Sequence, residues 1–212
     1  MIYLIGWPPK CGKTTLAKRL SKSLDVPWIS SDTLQCLIMP YMSKSDLWIK
    51  FPSRDLRGKD NDEKYWKYWA KEIIKAYRQQ AKTPHKAIDM LATCEIKDGN
   101  DYIIEGYHIT PKLAVTLNKK YPGHIKSVFL IKSDTDKFVS DIKKSSTLND
   151  WIIKKTKNEE TYGKIANMIC EYGDTIQKEA KKYGCMIVCM DNDFENQIQS
   201  AIHLLTINDI TG

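Results

Sequence analysis

Short apolar runs alternate with longer amphipathic stretches along most of the chain. Ile2 to Ile5 is a compact apolar run of the kind that forms a buried strand. It breaks at Gly6, and from Lys13 onward Leu16, Leu20 and Leu24 recur at helical spacing, predicting a helix to about Leu24. Val26 to Ser30 reads as a second strand ending at Ser31-Asp32, and Asp101 to Glu105 as a third, turned by Gly106. Ser127 to Ile131 is apolar nearly throughout, the pattern of a strand covered on both faces. Met186 to Met190 is the fifth, with Asp191 at its polar end.

Helices are predicted between these strands. Pro111 starts one that runs to about Lys120 and stops at Pro122-Gly123. Ser133-Asp134 caps another, which runs into the polar segment Lys143 to Asp150. A long helix places Ile165, Met168, Ile169, Tyr172 and Ile176 on one face and ends before Gly184, and a last one carries Phe194, Ile198, Ile202 and Leu205. From Leu37 to about Asp62 the pattern is irregular and holds Pro40, Pro52 and Gly58, which predicts a loop-rich insertion. One long helix should follow, with Tyr65, Trp66, Trp69, Ile73, Ile74 and Tyr77 as a stripe that reads as core packing. The alternation predicts an α/β fold, a doubly wound three-layer sandwich around a five-stranded parallel sheet.

The first break between strand and helix carries the chemistry. Gly6-Trp7-Pro8-Pro9-Lys10-Cys11-Gly12-Lys13-Thr14-Thr15 places a glycine-containing loop and Gly-Lys-Thr between a strand and a helix, which is the setting of a phosphate-binding loop. The nucleotide-binding candidates are Pro9, Lys10, Cys11, Gly12, Lys13, Thr14 and Thr15. There the backbone N–H groups and the helix dipole favour an anion. Lys13 would reach the β- and γ-phosphates, and Thr14 would help hold Mg²⁺. The spacing G-x-x-x-x-G-K-[ST] wants glycine at position 7, where this chain has Trp7. A bulky residue there either resists a positive φ and crowds the γ-phosphate, or forms a wall of the acceptor pocket.

Composition narrows the reading. A chain of 212 residues supports one well-buried core. It has no apolar stretch long enough to span a bilayer and no signal-peptide pattern, so the expectation is a soluble, cytoplasmic protein with no membrane partner. The six cysteines lack zinc-type pairing and read as reduced thiols, with Cys185 and Cys189 on one face of the last strand. The net charge of +7 rests on scattered lysines, with four arginines, Arg19, Arg54, Arg57 and Arg78. That pattern suits a solvated surface that attracts an anionic nucleotide and does not favour nucleic acid, which clustered arginines would read. The sequence sets no oligomeric state.

The loop and the strand order resemble the P-loop nucleotide and small-molecule kinases, a group that includes adenylate, shikimate and gluconate kinases. Many of its members start the loop with two glycines and two prolines, so Trp7 replaces the second glycine. The resemblance implies a single P-loop NTPase domain over 1–212, with an acceptor-binding insertion at about 37–82 and a lid at about 137–155. It implies ATP and Mg²⁺ as cofactors, and transfer of phosphate to a small hydroxyl- or phosphate-bearing acceptor. Asp32 occupies the place of the residue that binds or deprotonates the acceptor; a helix N-cap is its plainer role. Glu105 occupies the place of an acid that orients Mg²⁺. Glu105-Gly106-Tyr107-His108 also resembles, more loosely, the 2-phosphoglycerate-kinase-like branch, with His108 at an anionic acceptor. Arg54 and Arg57 lie where acceptor-binding residues fall. Lys143 and Lys144 stand in a lid that has no arginine, where the family carries several. Two further readings stay open, a kinase of nucleic-acid 5′ ends and a nucleotide-binding switch with little or no transfer.

Overall fold

The computed structural model of the chain describes residues 1–56, 58–144 and 150–207. Five strands, β1 (Ile2–Gly6), β2 (Trp28–Ser30), β3 (Tyr102–Glu105), β4 (Ile125–Ile131) and β5 (Met186–Cys189), form one sheet in the order β2-β3-β1-β4-β5. Every pairing is parallel, with Ile2 beside Tyr102 on one side and Ile125 on the other. The fold is therefore the predicted doubly wound sandwich.

Strand alternation sorts the core into two layers. On β1, Ile2 and Leu4 face one cluster with Ile104 and Phe129, while Tyr3 and Ile5 face another with Ile103, Val128 and Leu130. The second layer is covered by α1 (Lys13–Leu24) and α11 (Phe194–Thr206), through Leu16, Leu20, Ile198 and Leu205. The first is covered by α7 (Pro111–Lys120), α8 (Thr135–Lys144) and α10 (Glu159–Tyr183), the last burying Ile165, Ile169, Tyr172 and Ile176. α10 ends as predicted, at Gly184 in the left-handed conformation. All six cysteines are free thiols.

The segment after β2 is more helical than its prolines suggest. α2 (Ser31–Ile38) starts directly at Ser31 and α3 (Lys44–Lys50) follows, each separated by a single 3₁₀ turn from what comes next. The single long helix expected there is two, α4 (Asn61–Lys67) and α5 (Ala70–Gln80). The break falls at extended Tyr68, where the Glu72 carboxylate accepts from the Trp69 N–H at 2.9 Å and starts the second helix. With the axis broken, the aromatic stripe splits: Tyr65 is buried, but Trp69 is 80% exposed and Trp66 also faces solvent. α6 (His85–Lys97) has no counterpart in the sequence reading; its fully buried positions are only Ile88 and Ala92, too slight a stripe after Thr83-Pro84 to announce a helix. A short α9 (Trp151–Lys155) precedes α10. Among the described residues no helix is long and apolar enough to cross a membrane.

Candidate active site

The carboxyl ends of the strands open onto a cleft of about 1070 Å³. β1 is its centre, because the chain winds to β3 and β2 on one side and to β4 and β5 on the other.

Behind β1 the loop runs to Gly12, whose φ of 89° belongs to the left-handed region, and a Cβ there would lie 2.8 Å from the Phe194 ring. α1 starts at Lys13, so its first N–H groups lack helical partners. Pro9, Lys10, Gly12, Lys13, Thr14 and Thr15 all line the cleft. Lys13 is buried, and its ammonium donates to the Pro8 carbonyl at 2.6 Å. Cys11 is different: it is fully buried and absent from the cleft wall, and burial pushes its thiol up to about 12, which makes it packing rather than a reactive group.

Trp7 adopts a φ of 138°, the conformation that favours glycine, at a cost of about 1–3 kcal/mol. Its indole is fully buried and turned out of the cleft. It stands edge-on to Tyr172 at 4.1 Å and to Tyr107 at 6.4 Å between ring centroids, and those two tyrosines line the cleft in front of it. The tryptophan thus backs the wall instead of forming it, and aromatic packing holds the strained backbone in place.

On the β2–β3 side, Asp32 in the first turn of α2 and Glu105 at the end of β3 both line the cleft. The N-cap of α2 is Ser30, not Asp32, and the Ser30 hydroxyl accepts from the Asp32 N–H at 3.2 Å. This leaves the Asp32 carboxylate available, with 61% of its side chain open to solvent. The enclosing walls still raise its pKa above the ordinary carboxylate value, opposed by the charge of Lys13. Burial also raises Glu105, opposed by Lys13 and by the Thr14 hydroxyl, which donates to its Oε1 at 3.1 Å. A hydroxyl and a carboxylate so close are hard oxygen donors of the kind Mg²⁺ takes, with water completing the shell. Among the described residues no group of three or more His, Cys, Asp or Glu side chains forms a ready-made metal cage.

His108 sits behind Asp32, fully buried and outside the cleft wall. Its Nδ1 is 2.8 Å from the Ser31 hydroxyl and 3.7 Å from Asp32 Oδ1, and its Nε2 is 2.8 Å from Gln35 Oε1. Gln80 bonds both Gln35 and the Tyr107 hydroxyl, closing a buried network under the β2–β3 side of the cleft. Burial, aided by the charges of His85 and Lys13, depresses the His108 pKa to about 3, so the ring is neutral at pH 7. Gly106 makes the arrangement fit: its φ is 144°, and a Cβ there would lie 1.9 Å from Ser31 Oγ.

The β4–β5 side is cationic. Lys132, directly after β4, is buried, pairs with Asp141 at 2.7 Å, and lines the cleft with Lys137 and Lys144. Lys143 is turned away and pairs with Glu159 at the start of α10. Lys10 reaches across to Asp150, with 2.6 Å between Nζ and Oδ2, so the loop after β1 is tied to the segment that leads into α9. Asp150 is buried and also caps α9, accepting from the Ile152 N–H at 2.9 Å. Neither Lys132 nor Asp150 was singled out by sequence reasoning. Lys132 stands in the first position past the apolar run Val128 to Ile131, and Asp150 in the N-cap position before Trp-Ile-Ile, and those are the signals that mark them. Arg54 is exposed on the 3₁₀ turn after α3 and does not line the cleft. Arg57, and lid positions 145–149, lie outside the described residues.

No protein-family model matches the chain. An uncharacterized protein of Dictyostelium discoideum is 26% identical over 132 residues, a stretch covering 62% of this chain and 16% of that protein. Among solved structures, a gluconokinase from Sinorhizobium meliloti superposes with a TM-score of 0.51 at 12% identity, covering 96% of this chain and 90% of that one. A shikimate kinase from Bacteroides thetaiotaomicron gives 0.50 at 18% identity, covering 97% and 98%. A sugar kinase from Janibacter gives 0.50 at 12%, covering 97% and 94%. The likeness is one of fold: this chain has the P-loop kinase fold, a five-stranded parallel sheet flanked by helices.

Proposed function

We propose that the chain is a phosphotransferase that moves the γ-phosphoryl group of ATP to a small acceptor bearing a hydroxyl or phosphate. The observation that carries this reading is the gathering of Lys13, Thr14, Glu105 and Asp32 around one cleft, with lysines on its far side. Mg-ATP, when bound, supplies the phosphoryl group and the charge that offsets its oxygens. The loop N–H groups and Lys13 would hold the phosphates, and Thr14 and Glu105 would hold the metal. Asp32 would accept the acceptor's hydroxyl proton as its oxygen bonds to phosphorus and the bond to the leaving oxygen breaks. Lys132, Lys137 and Lys144 would neutralise the transferring group. Segment 37–82 is assigned to the acceptor and 137–155 to the lid of a single domain, and the names gluconokinase, shikimate kinase and sugar kinase among the structural neighbours agree with a small acceptor.

The test is ADP formation from Mg-ATP against a panel of hydroxyl- and phosphate-bearing acceptors. Acceptor-dependent turnover that is lost in Asp32→Asn supports the proposal. One observation favours a switch that binds nucleotide without transfer: every cation among the described cleft-lining residues is a lysine, which lacks the bidentate fork of arginine. Tight Mg-ATP binding with no turnover on any acceptor would decide for that reading.

A further inference from the structure

Behind Trp7 lies a second cavity, of about 480 Å³, between the start of α6, α7 and α10. Its volume falls within the range of about 300–1,000 Å³ typical of small-molecule sites. Trp7, Leu113, Leu117 and Ile176, all buried, give it an apolar floor. Five cations, Arg78, Lys82, Lys86, Lys112 and Lys120, face two acids, Asp89 and Glu179. Both acids are taken: Arg78 pairs with Glu179 at 3.2 Å and Lys120 with Asp89 at 2.7 Å. Lys82, Lys86 and Lys112 are left at the mouth with no ion-pair partner among the described residues.

An apolar floor under an uncompensated cationic mouth describes its own ligand. We propose that this cavity is a binding site for a small amphipathic anion, a planar apolar body carrying one acidic group. The apolar body would cover the floor beside Trp7, and the acid would sit among Lys82, Lys86 and Lys112. The site is separate from the cleft, since the two share no lining residue, and it does not depend on what the cleft binds. Lys71, Lys75 and Arg78 on α5, with Lys82 just past its end, also make a basic stripe, which a nucleic-acid backbone could follow, but a stripe would not use the concave apolar floor.

Naphthalene-1-sulfonate serves as the probe, titrated into the full ¹⁵N-labelled chain. The indole N–H resonance of Trp7, assigned by its absence in Trp7→Phe, reports the floor, and calorimetry reports affinity. Sulfate alone and naphthalene-1-methanol test the two halves of the ligand. The expected result is a saturable shift of the Trp7 resonance, with either half binding more weakly than the whole. The exposed pair Lys82→Glu and Lys112→Glu should weaken binding by about tenfold or more, while Lys13→Ala leaves it unchanged. Binding that survives the double charge reversal, or that disappears in Lys13→Ala, would overturn the proposal. So would failure of the sulfonate to bind while a short oligonucleotide binds and is lost in the same double variant, which would assign the face to nucleic acid.

Discussion

The two flanks of β1 contribute opposite chemistry to one cleft. The β2–β3 flank supplies acids backed by a rigid interior: Asp32 and Glu105 stand in front of Ser31, His108, Gln35 and Gln80, each hydrogen-bonded to the next. The β4–β5 flank supplies Lys137 and Lys144, both exposed on α8, and the buried Lys132 directly after β4. Acceptor recognition and proton removal demand fixed geometry, whereas neutralising a spread phosphate charge tolerates a mobile ammonium. Under the proposed transfer, the acceptor would sit against the first flank and the transferring phosphate against the second, with Lys13 between them.

The assignment breaks most visibly at Asp32. Asp32→Asn should lower acceptor-dependent turnover by about 10²–10⁴ and leave nucleotide affinity nearly unchanged, as separate kinetic and calorimetric measurements would show. A turnover loss matched by an equal loss of nucleotide affinity would move Asp32 to the other flank. Gly106→Ala comes next, because a Cβ 1.9 Å from Ser31 Oγ cannot be accommodated where φ is 144°. The expected loss is about 3 kcal/mol or more in chemical denaturation. Stability unchanged by that substitution would show that the β2–β3 flank is not rigid.

His108 gives a test by pH. Its pKa is about 3 in the folded chain against an ordinary value of 6.5, so the unfolded chain binds the extra proton first as pH falls. The stability it contributes is present above pH 6.5 and is lost on acidification toward pH 3, by up to about 1.4 kcal/mol per pH unit. Asp32 and Glu105, with raised pKa values, pull the other way below neutrality. His108→Gln should therefore flatten the fall in stability between pH 7 and pH 5 relative to the parent, measured by urea unfolding at both. An unchanged slope would contradict a neutral, buried ring. The smallest effect belongs to the lysine flank: Lys132→Met should weaken nucleotide affinity only a few-fold, about 1 kcal/mol, because Lys137 and Lys144 share its task. A loss as large as that of Lys13 would erase the contrast between the flanks.

These flanks were unequally legible in the sequence. Strand ends are readable because an apolar run stopping at a polar residue marks both the strand and its ligand-facing tip, and Asp32 and Glu105 were found in that way. The cap position of Asp150 is legible locally, but its pairing with Lys10, 140 positions away, is not, because no local pattern records a long-range ion pair. The aromatic stripe misled because periodicity assumes one helix axis, whereas the Glu72 cap starts a second one at Trp69. His108 was expected at an anionic acceptor but lies buried outside the cleft wall, since nothing local shows that Ser31 and Gln35 close over it. Trp7 showed as a broken pattern, but which way its side chain turns depends on Tyr172, far along the chain.

The central claim is that the loop ending in Lys13 holds the phosphates of a nucleotide in the cleft between these flanks. Calorimetric titration of Mg-ADP into the parent chain and into Lys13→Ala tests it most directly. Loss of a charge-assisted contact predicts affinity weaker by about tenfold to a hundredfold, or more, in the variant. Equal affinity in the two proteins, or no binding to the parent, would contradict the account.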